Sequence, residues 1–217
     1  MKTIIQIVLW IVCIGFGFLI YKSVTGPIEF NKVKQERFAK VVAKLKDIKS
    51  AQEAYKTVNG KYANDFNSLV SFVDTGKYTI TQQRDSSFKR FDKHFRIDMP
   101  IDTVIIDTLG FVSVRDSLFK KDDRYKTMME IPGAANGEKI EMKAAIIDKG
   151  GYKAPVFEAK VLKNIILFDQ PKDLLAKENT EKSVEQVNGN TIRLGSLEEV
   201  STSGNWPAVY DRKGDQD

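Results

Sequence analysis

The chain holds a single histidine, His94 in FDKHFRID, and a single cysteine, Cys13, and this sets a low ceiling on its chemistry. A serine or cysteine nucleophile needs an adjacent base, and His94 is the only imidazole able to serve. No GxSxG elbow accompanies it, and there is no GxxxxGK(S/T) phosphate loop and no GxGxxG after a strand. Asp92 and Asp98 lie near His94 but not at a spacing that metal sites use, so a surface or half-buried histidine is the better reading. The neighbouring carboxylates Glu198-Glu199 and Asp122-Asp123 point different ways on a helix or a strand, whereas general acid–base work needs groups converging on one cleft. No catalytic residue, no metal ligand and no cofactor is assigned. An anchored enzyme or ligand-binding domain stays open only as a second alternative.

The elements that would position such residues begin with Ile4 to Tyr21, an uncharged and mainly apolar run, IIQIVLWIVCIGFGFLIY. As a helix it spans about 27 Å, close to the hydrocarbon thickness of a bilayer. The exit, SVTGPIEF, has Pro27 where a signal peptide would be cut and lacks a small-x-small site, so an uncleaved anchor is expected. The short leader is expected to stay cytoplasmic, which places the remainder outside. Cys13 falls in the span, and the rest of the chain therefore has no disulfide.

The net charge of +5 is local. Residues 22–56 carry nine Lys/Arg against four Asp/Glu, whereas residues 57–217 sum to −1. A nucleic-acid-binding domain would carry the excess on its folded body, so no nucleic-acid partner is expected. Attraction of Lys22, Lys32 and Lys34 to anionic lipid headgroups accounts for the excess at about 1 kcal/mol per residue; a solvated helix face accounts for it equally well.

The expected class is α+β: an N-terminal transmembrane helix, a long amphipathic helix and an antiparallel-sheet extracytoplasmic domain. Residues 1–22 form the anchor, and Gly26-Pro27 breaks it in a hinge over 23–29, with Asn31 as a candidate cap for the next helix. Residues 30–76 hold the amphipathic helix, whose stripe Phe38, Val41, Val42, Leu45, Ile48, Ala51 and Tyr55 has helical spacing, and a short second helix capped by Asn64 or Asp65. Asn59-Gly60 supplies the left-handed stop between them. Residues 77–210 are β-rich. A strand runs from Tyr78 to Thr81, and TVIID and FVSV flank Thr108-Leu109-Gly110 as a hairpin. KIEMKAAIID, with Ile140, Met142, Ala144 and Ile146 on one face, turns at Gly150-Gly151 into PVFEAKVL. A helix starts at Pro171 and covers Lys172 to Lys177, Trp206 packs on the domain, and 211–217 is a frayed tail.

Leu45, Ile48, Ala51, Tyr55, Asn59, Gly60, Tyr62 and Leu69 follow the order LxxIxxAxxxY…NGxY with a leucine-bearing turn. In this the N-terminal third resembles type IV pilins and the pseudopilins of type II secretion, in which an apolar helix continues as an amphipathic one. The chain departs from them at three points: no Gly-Phe or Gly-Met follows a basic leader, no acidic residue lies in Ile4 to Tyr21, and Gly26-Pro27 interrupts the joint between the two helical parts. The whole chain, including VDTGKYTITQQRDSS and GSLEEVSTSGNWPAVYD, also resembles a single-span envelope family of Bacteroidota, which implies the envelope of a diderm bacterium and no catalytic residues. The expectation is a non-enzymatic, anchored accessory subunit of an envelope machine for secretion, motility or energised transport. The alternative is a minor pseudopilin-like filament subunit. Its partners would be multi-span inner-membrane proteins, met through Gln6, Gly15 and Gly17; Tyr55, Gly60 and Tyr62 shape the helix turn.

Overall fold

The computed structural model describes residues 2–210 other than 93, 95, 121, 136 and 184. Helix α1 (Lys2–Asn59) runs 58 residues without interruption, about 87 Å at 1.5 Å per residue. The two halves of α1 differ in what they touch. Residues 3–24 are exposed throughout, and burial begins at Phe30. From there Phe30, Phe38, Val41, Val42, Leu45, Ile48 and Ala51 are all buried along one face.

The expected hinge over 23–29 is therefore helix, with Pro27 inside it. Proline removes the N–H that would bond the Ser23 carbonyl, a cost of about 3 kcal/mol in a helix interior. The apolar stretch before Pro27 favours helix, and the stripe that starts at Phe30 fixes the next turns against the core. Asn31, expected as a cap, is an exposed mid-helix residue.

The chain reverses at Gly60 into α2 (Phe66–Thr75). Asp65 caps α2, its carboxylate accepting from the Ser68 N–H and the Ser68 hydroxyl, each at 2.8 Å. Next comes an antiparallel hairpin of β1 (Lys77–Asp92) and β2 (Ile97–Ser113), and then α3 (Val114–Phe119) and a 3₁₀ turn (Arg124–Thr127). The hairpin expected around Thr108-Leu109-Gly110 is not formed. Those residues lie inside β2, where Ile80 pairs with Gly110 and Thr81 with Thr108, so Leu109 is the extra residue of a bulge.

The second sheet is β3 (Glu141–Lys149), β4 (Tyr152–Leu162) and β5 (Thr191–Gly195), antiparallel with β4 central. The turn at Gly150-Gly151 has φ of +64° and +84°, where glycine is favoured. Phe157, Ala159, Val161, Ile192 and Leu194 are buried in one core with the second half of α1 and with Leu69. Ile140 is also buried, but Ile146 is 65% exposed: β3 runs past the core at its turn end. Between β4 and β5 lie α4 (Lys163–Ile166) and α5 (Lys172–Asn179), the latter with Pro171 as its cap residue. Trp206 is half-buried and packs against the core. The tail over 211–217 lies outside the described residues. The fold is α+β, a long N-terminal apolar helix with antiparallel sheets.

Candidate functional site

Two buried polar clasps help tie α1 to the rest of the fold. The first is at its C-terminal end. Gly60 has φ +73°, and its N–H donates to the Lys56 carbonyl at 2.8 Å. Tyr62 is expected to pack against Tyr55 or its neighbours, and the rings of the two tyrosines lie on different partners. Tyr55 packs edge-on to Phe72, centroids 5.0 Å apart, and Tyr62 lies on Phe157 of β4 at 4.6 Å. What Tyr62 receives from α1 is the Lys56 ammonium, 5.1 Å above its ring. Gln52, fully buried, holds the turn: its amide donates to the Ala63 carbonyl and accepts the Ala63 N–H, both at 2.9 Å. A buried glutamine satisfied on both sides restrains one backbone position. In the sequence it reads as an ordinary polar neighbour of Ala51.

The second clasp is charged and lies near the start of the buried half of α1. Lys34 donates to the Glu178 carboxylate at 2.9 Å and to the Gln186 side chain at 3.0 Å. Lys163, at the start of α4, donates to the other Glu178 oxygen at 2.8 Å and to the carbonyls of Glu178 and Val187 at 2.9 and 2.7 Å. Lys163 is 0% exposed, Glu178 5% and Lys34 7%. One carboxylate thus bridges two ammonium groups. Burial pushes the Lys163 pKa down, and the bond to Glu178 acts against that. Burial and the Glu178 charge both push the nearby Tyr210 phenol up. About one turn along, Arg37 grips Asp169 with two bonds of 2.6 and 2.8 Å and also reaches the Ile166 carbonyl at 2.9 Å. This pairing holds the Asp169 carboxyl at about 2.

Lys34, expected to meet headgroups, is instead buried in this clasp, because its position, four residues from both Phe30 and Phe38, faces the core. Lys22 and Lys32 are exposed. All three donors of Lys163 are engaged, so its amine has no lone pair to offer a substrate. Among the described residues no group of three His, Cys, Asp or Glu side chains could hold a metal ion. The clasps fix geometry; they present no nucleophile beside a base.

The exposed half of α1 arranges the remaining residues. At 100° per residue, Gln6, Cys13 and Gly17 fall within about 40° of one another on one stripe, and Gly15 lies on the opposite side. A methyl group added at Gly15 or Gly17 would meet nothing within 4 Å. Comparison with protein-family models, curated proteins and solved structures gives no match to this chain.

Proposed function

We propose that this chain is a non-enzymatic, single-pass accessory subunit of a bacterial envelope machine for secretion, motility or energised transport. Residues 4–21 would sit in the inner membrane, with the folded body in the periplasm. The observation that carries this reading is the division of α1: its apolar half touches nothing, and its other half is the central helix of the core. Ile4, Leu9, Trp10, Phe16 and Phe18 are each more than 60% exposed. Burying such a side chain is worth about 1.5–3 kcal/mol, and a bilayer covers all sides of the helix at once. Because the helix is unbroken, forces and orientation would pass directly between membrane and domain. Lys22 and Lys32 would meet anionic headgroups, and multi-span membrane proteins would meet the span. Protease added to spheroplasts should digest the body and leave an anchored fragment that begins at the native N-terminus; a fully protected body overturns the topology.

The unbroken helix also favours a second reading, a minor pseudopilin-like subunit, since continuity between apolar and amphipathic parts is what the resemblance implies. Intact mass of the membrane-extracted protein separates the two. An N-terminus trimmed within the first residues supports the pseudopilin reading, and an untrimmed chain supports the accessory subunit.

A further inference from the structure

The β1–β2 hairpin is long, yet it packs on almost nothing. Its strands are 16 and 17 residues, and none of their described residues is buried. Ile106, Phe111, Phe91 and Ile97 are each more than half exposed. An isolated two-stranded sheet is at best marginal in water, and both of its outer edges offer unpaired backbone groups. The usual protection is uneven. Pro100 interrupts the β2 edge near the tip, but from Ile101 to Phe111 the strand carries no Lys or Arg and includes the run Val104-Ile105-Ile106. That stretch is about 36 Å long at about 3.3 Å per residue.

The charges say what could cover it. β1 carries Lys77, Arg84, Lys89 and Arg90 against Asp85 and Asp92, whereas β2 carries Asp98, Asp102 and Asp107 and no basic residue. Paired residues share a face of the ribbon, so the register sorts these charges. On one face β1 shows Arg84 and Arg90 and β2 shows Asp107. On the other β1 shows Lys77, Asp85 and Lys89 and β2 shows Asp98 and Asp102. On both faces β1 is net basic and β2 is net acidic. A strand laid antiparallel against β2 is matched by β1 of another copy, whereas β1 against β1 or β2 against β2 sets like charge beside like.

We infer that the hairpin is a self-association element, in which the acidic β2 edge of one chain pairs antiparallel with the basic β1 edge of a second copy. The contact is head-to-tail, so it does not close on two subunits and can continue as a widening ribbon. Each added copy keeps the same orientation, as chains anchored in one membrane require, although the edge pairing itself does not depend on anchoring. Hydrogen bonds along the edge supply the attraction, and the charges select the edge.

The test uses full-length protein in detergent and two variants, followed by sedimentation. Asp98→Lys with Asp102→Lys makes both edges basic, and Lys89→Glu with Arg90→Glu makes both acidic; Asp107 is spared because its carboxylate pairs with Arg84 at 3.1 Å. Wild type should associate with rising concentration. Each variant alone should need at least tenfold more protein to do so, and an equal mixture of the two should recover wild-type association. Recovery in the mixture also shows that both variants fold, because each chain keeps its own like-charged hairpin. A wild type that stays monomeric at its solubility limit overturns the inference, as does association unaltered by either variant, which would assign it to the span. So does a mixture no better than its parts, including one in which the hairpins captured another protein instead.

Discussion

Glu178 joins residues that the sequence keeps far apart, Lys34 being 144 positions away. Removing the carboxylate leaves two ammonium groups buried side by side, and breaking a buried pair in this way costs about 3–5 kcal/mol. Glu178→Gln should lower the urea midpoint accordingly, whereas replacing Lys34, Lys163 and Glu178 together by apolar residues of similar volume should cost far less. Tyr125 adds a pH dependence. It is fully buried and donates a short hydrogen bond to the Asp74 carboxylate; burial first, then that bond, push its phenol up to about 12. An unfolded tyrosine titrates near 10. The folded state thus favours the protonated phenol: the contribution is complete below about pH 10 and is lost as pH rises towards about 12. The stability difference between wild type and Tyr125→Phe should therefore be constant from neutral pH to about 10 and shrink above it. A difference that stays flat to pH 12 would contradict this account.

At the level of elements, legibility came from local periodicity. The stripe Phe38, Val41, Val42, Leu45, Ile48 and Ala51 is read correctly because 3.6-residue spacing needs no knowledge of the partner. The β3–β4 hairpin is read correctly because its glycine turn is local too. Pro27 and Thr108-Leu109-Gly110 mislead, because each is a signal with two outcomes. A proline can end a helix or sit within one held on both sides, and Leu-Gly in a strand can turn it or bulge it. Pairing of β2 with β1 along its length decides for the bulge, and β1 is too polar to announce itself. The charged clasp was hidden for another reason: lysine reads as solvated, although Lys34 falls in phase with Phe30 and Phe38 and Lys163 stands close to apolar neighbours. Gly60 is an element-level switch, since α1 ends where its φ turns positive. Its Cβ position is open, so Gly60→Val tests backbone strain with no clash at Cβ. At φ +73° a β-branched residue should cost at least about 1 kcal/mol, and Asn less. Equal urea midpoints for the valine and glycine proteins would show that the helix can end elsewhere.

For the whole molecule, the helical phase of α1 decides which residues of its apolar half can act together. Gln6 is the one strongly polar side chain from Ile4 to Tyr21, and in hydrocarbon an amide on a helix contributes about 0.6–2 kcal/mol by bonding across to another. Close approach requires small residues on the same side. Gly17 and Cys13 are on the stripe of Gln6; Gly15 is across from it, and its substitution becomes the control. Under the proposed function, Gln6→Leu with Gly17→Leu should reduce recovery of a multi-span membrane protein after in-cell crosslinking by about tenfold, the effect of roughly 1.4 kcal/mol. Gly15→Leu alone should leave recovery near wild type, and all three proteins should insert equally in carbonate-washed membranes. If the double variant recovers the same partners in equal yield, the span is a tether only. The contacts that define this subunit would then have to come from the body, where the hairpin edges are the open surface.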